Sequence, residues 1–267
     1  MELKQIWDAY LAYIEPSRKP KTLLYLHKTI SPKIYRCEFQ DPSLALEIRN
    51  WLLTVTTPSM AKRVLIQINA AIKWAIKHKK LSLAVSPFDG MAYQFKHNYE
   101  IETTPNAFTS QERARVLEAF KNHKVKGGGF SYKYYVNFVE FLFLTGCRPH
   151  EAIELQWKHI DPAMRFINFT DSKTGRARKF PCGERLRELL SSIPQKSALV
   201  FPAPKGGQID YKNFSDRAWD AVVDPLKPDT TPYCCRDTFI TEQIAENINP
   251  AIIAKWVDNS EPLGIKG

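Results

Sequence analysis

The sequence is poor in metal ligands and lacks the spacings that would make them useful. Its 6 histidines and 5 cysteines, among 267 residues, form no C-x-x-C pair, no H-x-x-x-H pair and no mixed Cys/His cluster. No metal site is expected on that pattern. The cysteines (Cys37, Cys147, Cys182, Cys234 and Cys235) are odd in number, and the chain shows neither a signal peptide nor a long apolar run. They read as reduced thiols of a cytoplasmic protein with no membrane span. No internal repeat or low-complexity tract stands out. Aromatic residues make up 12% and hydrophobic residues 44% of the chain. That content argues against disorder and suffices for a sizeable core, with length enough for two domains.

Positive charge is what the sequence has in excess. Lysine and arginine number 38 against 28 aspartates and glutamates, a net charge of +10 with a pI near 9.3. Divided at Pro105, the first part holds 15 basic and 9 acidic residues and the second 23 and 19, so they carry +6 and +4. A polyanionic partner suits this balance, although many soluble proteins are mildly basic.

Apolar periodicity predicts helices over Leu3–Ile14, Thr22–Ile30 and Pro42–Leu53. The clearest element before Pro105 runs from Pro58 to Lys80, with Thr57 as its cap and Pro58 in its first turn. Val64, Leu65, Ile68, Ala71, Ile72, Ala75 and Ile76 form its apolar face. Lys62, Asn69, Lys73, Lys77 and Lys80 line the other side. That row reads either as a solvated face or as a helix laid along a nucleic-acid backbone, each lysine exchanging a counterion for a phosphate. Gln94 to Asn106 is polar and reads as a linker.

Beyond it, Thr109 and Glu112 make a capping box for a helix through Phe120. Asn137 to Leu155 is the stretch around which this half is organised. Val136, Val139, Leu142, Phe143 and Leu144 can bury on a helix that Gly146 stops in a left-handed cap, and Pro149 starts the next. Arg148 is thereby held between a helix end and a helix start. Such an arginine either serves structure, by capping or by pairing with Glu151, or presents its planar donors to a phosphate. Arg165–Thr170 and Arg178–Pro181 read as a β-hairpin whose turn carries Lys173. Helices are expected over Glu184–Ser191, over Tyr211–Val223, from near Cys234, and over Ala251–Val257 after Asn249 and Pro250.

Three of these segments carry a family resemblance. Thr145-Gly-Cys-Arg-Pro-His-Glu-Ala, Ser172-Lys-Thr-Gly and Tyr233-x-x-Arg236-Asp-Thr-Phe239 resemble, in order and spacing, the motifs of the tyrosine recombinases, the phage-integrase family. Ala254-Lys-Trp-Val-Asp-Asn-Ser resembles a variant of that family's next motif. The resemblance implies a mainly α protein. A helical core-binding-like DNA-binding domain would occupy residues 1–98, a linker 99–106, and a catalytic domain with a small antiparallel sheet 107–267. It implies strand exchange on double-stranded DNA by transesterification without metal or cofactor, and possible assembly as a homo-oligomer, a tetramer on DNA. Arg148 and Arg236 would hold the non-bridging oxygens of the phosphate, Lys173 would protonate the leaving oxygen, and Glu151 would anchor Arg148.

Several positions depart from the family's pattern. Tyr233 stands where the family usually has histidine. A phenol, with a pKa of about 10, can donate a hydrogen bond there but is a poor general base. Asn259 stands at the family's later histidine or tryptophan position. No tyrosine follows Tyr233, and the stretch after Asn259, with Pro262 and two glycines, is poor helix. The segment bearing the nucleophile is thus expected to be absent or altered. This leaves two readings, a strand-exchange enzyme incomplete in this chain and a non-catalytic DNA-binding protein on the same fold, with a type IB topoisomerase-like enzyme a more distant third.

Overall fold

In a computed structural model the chain divides into two compact units, Met1–Glu102 and Thr103–Gly267. The structure describes residues 1–93, 107–124, 131–170 and 177–259. The expected linker, Lys173 and the residues after Asn259 lie outside that set.

The first unit is helical. Leu3–Ile14, Ala45–Val55 and Pro58–Lys77 bury Ile6, Trp7, Leu11, Ile48, Leu52, Val64, Ile68 and Ile72 in one core. The helix expected over Thr22–Ile30 is longer, running as Pro20–Tyr25, a π-turn over Leu26–Ile30, and Ser31–Tyr35. Pro32 explains the widened turn. It has no amide to give the carbonyl four residues back, and its ring would strike that carbonyl in a regular α-turn. The buried Ser31 hydroxyl donates to Leu26 O at 3.0 Å and accepts from Trp7 Nε1 at 2.8 Å, pinning the widened turn to the first helix.

The second unit is mainly helical with a small two-stranded antiparallel sheet, the fold class expected. Strands β1 (Phe166–Thr170) and β2 (Ala177–Pro181) pair so that Ile167 faces Phe180 and Phe169 faces Arg178. The Val136–Thr145 helix runs through the middle of the core. The expected one-sided stripe understates its burial, because Phe138 and Phe141 are enclosed as fully as Val139, Leu142 and Phe143, while Val136 and Leu144 are only half-buried. The helix expected over Tyr211–Val223 forms with a π-turn, Phe214–Trp219, at its centre. Helices Cys234–Ala245 and Pro250–Val257 complete the unit. Among the described residues no helix is long and apolar enough to cross a membrane.

Candidate phosphate-binding site

The site begins with Gly146. It ends the Val136–Thr145 helix at φ 57°, ψ 15°, its amide donating to Leu142 O at 2.9 Å. Glycine adopts this left-handed conformation without the Cβ clash other residues suffer. A Cβ there would also lie 2.5 Å from Phe239 Cδ1, so the Cys234–Ala245 helix can approach only because none is present. That approach brings Arg236 to the Gly146 loop, where its Nη1 donates to Gly146 O at 2.9 Å.

Arg236 is 5% exposed. Burial pushes its pKa below the ordinary arginine value, and Arg148 and Arg178 push the same way, opposed by Tyr233 and Glu151. Two arginines far apart in sequence therefore share one neighbourhood. The half-exposed Tyr233 presents its ring to the Arg236 guanidinium, with 5.9 Å between them.

Arg148, in extended backbone, leads into the Pro149–Ile153 helix. Glu151 Oε2 accepts from the Arg148 amide at 2.7 Å, while Glu151 Oε1 lies at a longer 3.4 Å from Arg148 Nη1. The main guanidinium partner of Glu151 is a residue that sequence reasoning passed over. Arg178 on β2 grips both carboxylate oxygens, at 2.6 and 2.7 Å, and donates Nε to Trp256 O at 2.7 Å. The Glu151 and Arg178 side chains are only 7% and 10% exposed. A bidentate pair whose Nε donor is also satisfied is the arrangement that makes such burial tolerable. Strand alternation held the clue, since Arg178 shares a face with the buried Phe180, and its guanidinium lies 4.6 Å from the Phe169 ring opposite.

Arg148 has a second partner that the sequence did not suggest. Asp258 closes the Pro250–Val257 helix in the left-handed region, and its Oδ2 accepts from Arg148 Nη1 at 2.9 Å. The Asp258 carbonyl accepts from Nη2, also at 2.9 Å. Burial lowers the Arg148 pKa, but the hydrogen bond it donates to Asp258 and the charges of Glu151 and Asp258 outweigh it and leave the value raised. Asn259, next to this contact, is exposed. Lys173 lies outside the described residues. The structure thus brings together Arg148, Arg236, Tyr233 and Glu151, with Asn259 alongside.

The four lysines of the first unit expected to contact DNA, Lys62, Lys73, Lys77 and Lys80, are not equivalent. Lys62 and Lys77 lie along the Pro58–Lys77 helix, and Lys73 lies 2.6 Å from Asp89. Lys80 was expected to continue the row but leaves it. The helix stops at Lys77, Lys79 turns left-handed at φ 56°, and the Lys80 amide returns to Ala75 O at 2.8 Å. This six-to-one closure brings Lys80 Nζ 5.4 Å from the Trp74 ring centre.

Among the described residues no group of His, Cys, Asp or Glu is placed to hold a metal ion. The site is built from arginines that a buried carboxylate and a helix end hold in place. A sequence model of the phage integrase family matches residues 107–261. The chain belongs to that family, the tyrosine recombinases. Comparison with curated proteins finds no match. Among solved structures, the Tn1549 transposon integrase in complex with circular intermediate DNA is similar at TM-score 0.79 and 17% identity, over 98% of this chain and 92% of that one. A lambda integrase dimer bound to a COC' core site is similar at TM-score 0.77 and 15% identity, over 98% and 97%. A lambda integrase tetramer bound to a Holliday junction is similar at TM-score 0.76 and 14% identity, over 100% and 80%.

Proposed function

We propose that this chain grips a phosphodiester of double-stranded DNA in a site built for metal-free transesterification in site-specific recombination. The observation that carries the reading is Arg236, a residue 5% exposed in the company of Arg148 and Arg178. Gathering cations under cover is costly unless an anion joins them, and a non-esterified phosphate oxygen is an anion of fitting size. In this reading Arg148 and Arg236 stabilise the charge that builds on the non-bridging oxygens, and Tyr233 and Asn259 add hydrogen bonds. Lys173 gives its proton to the departing 5′-oxygen as a tyrosine attacks phosphorus. Arg178 holds Glu151, and Glu151 holds the Arg148 main chain. The integrases that resemble this chain are bound to DNA, as a dimer or a tetramer in the lambda cases, which supports DNA as the partner and a possible homo-oligomer. Residues 1–98 would add phosphate contacts through Lys62, Lys73, Lys77 and Lys80, with 99–106 as the linker to a catalytic domain over 107–267.

A second reading is DNA binding without cleavage. The test is incubation of the chain with nicked duplex substrates that trap a 3′-phosphotyrosyl link, followed by denaturing gels and by binding titrations. Retained DNA binding without an adduct would favour the second reading, because positioned cations cannot replace an attacking atom. An adduct lost on Tyr233→Phe would make Tyr233 the nucleophile and defeat the second reading. Unchanged DNA affinity in both Arg148→Ala and Arg236→Ala would defeat the phosphate-gripping site itself.

A further inference from the structure

The Arg148 guanidinium is already in contact with an anion, and the anion is part of the chain. We infer that Asp258 is an intramolecular stand-in for phosphate, a latch that must leave Arg148 before DNA can be held there. The inference rests on the proposed reading of Arg148 as a phosphate ligand and names how that site is regulated.

The geometry supports it in three ways. Asp258 meets two nitrogens of one guanidinium, with Oδ2 on Nη1 and its carbonyl on Nη2, both at 2.9 Å. Those neighbouring donors form the fork that a phosphate would engage with two oxygens. The contact is also partly open to solvent, with the Arg148 and Asp258 side chains 34% and 31% exposed. An incoming polyanion can therefore compete for it, whereas the Glu151–Arg178 pair at 7% and 10% is shut away. Finally, Asp258 reaches Arg148 from an unusual backbone. It sits at φ 54°, ψ 56°, where its amide and that of Asn259 both return to Ala254 O. Aspartate is among the few side chains that visit this region, so the helix end can hold the carboxylate over Arg148 without a glycine.

Among the described residues, two carboxylates attend Arg148 in different ways. Glu151, fixed by Arg178, holds its main chain and stays when a phosphate binds. Asp258 competes with the phosphate for the same donors, and its negative charge would repel the incoming phosphate until it swings aside. The latch would keep Arg148 paired when no DNA is present, making the gathering of arginines tolerable in the free protein. It would be released by a phosphodiester that offers more than one carboxylate can. Asn259, the next residue, would move with it.

The experiment compares the whole 267-residue chain with Asp258→Asn and with Asp258→Gly, which keeps the left-handed backbone. Thermal unfolding first confirms that each variant is folded. Affinity for a duplex DNA is then measured across salt concentrations. Both variants should bind about two- to fivefold more tightly, with the salt slope of the parent, because once Asp258 has left, Arg148 pairs the same single phosphate in every complex. Adding Arg148→Ala should cancel the gain, because the two residues act on one contact. Equal affinity in the parent and both variants overturns the latch. Two readouts need no DNA: the 15N side-chain resonances of Arg148, and their response to inorganic phosphate. Resonances that shift in Asp258→Asn and then respond to lower phosphate concentrations support the latch, and resonances identical in both proteins overturn it. If neither parent nor variants bind DNA, the DNA-gripping reading falls, and the phosphate titration alone decides whether Asp258 competes for Arg148.

Discussion

At Gly146 one missing methyl group lets two distant motifs meet. Its φ of 57° suits glycine, and a Cβ would strike Phe239 Cδ1 at 2.5 Å and Cγ at 2.8 Å. Gly146→Ala should therefore cost about 2–4 kcal/mol, combining left-handed strain with overpacking against the ring. Urea denaturation measures the loss, and the mechanism predicts partial recovery in Gly146→Ala/Phe239→Leu, where the ring edge is gone. Stability unchanged in Gly146→Ala would mean that the approach is not tight. Glu151 and Asp258 show how environment separates two carboxylates near one arginine. The first is enclosed and doubly bound to Arg178, the second partly open to water.

At the scale of the element, the chain closes its helices and turns with local chemistry. Thr109 Oγ1 accepts from the Glu112 amide at 3.2 Å and Glu112 Oε2 accepts from the Thr109 amide at 2.7 Å, completing the capping box. The turn before β1 is held by Asp161, whose carboxylate takes Arg165 Nε at 2.8 Å, Nη2 at 2.9 Å and the Arg165 amide at 3.2 Å. These hydrogen bonds from Arg165 hold the Asp161 carboxyl down at about 2. An unfolded aspartate titrates near 3.9. The depressed value therefore contributes stability that is fully present above about pH 4 and is lost as pH falls through about 2. Thermal melts of Asp161→Asn should lie below the parent at neutral pH and converge with it towards pH 2. A difference independent of pH would remove the ion pair as the cause.

For the whole molecule, net charge and binding charge are different quantities. The +10 of the chain attracts a polyanion at a distance, but the number of phosphates paired is read from the salt dependence of binding. Lys77→Gln should flatten the slope of log affinity against log salt by about 0.9, because one phosphate keeps its counterion. Lys73→Gln should flatten it less, because Asp89, 2.6 Å from Lys73, already neutralises part of that charge. Equal slopes for both variants would show that Asp89 leaves Lys73 when DNA binds. A parent slope unmoved by either change would show that the Pro58–Lys77 helix does not touch DNA.

The sequence by itself determined the elements and their ends wherever the signal was local. Leu3–Ile14 forms over those residues, and Thr57, Thr109, Gly146, Pro149 and Asn249 each mark a helix boundary through a cap or a fixed φ. The motif order at Arg148 and Arg236 was likewise legible, since both sit at fixed offsets from such boundaries. Tertiary structure decided the partnerships. Arg178 reaches Glu151 across 27 positions, and Asp258 reaches Arg148 across 110. No periodicity encodes either distance. Alternation along β2 could place Arg178 on the buried face, but only the folded chain puts an acid there to receive it. For Asp258 even that hint was missing: the side chain at a helix end points wherever a left-handed turn sends it, and the packing of Pro250–Val257 fixes what it meets.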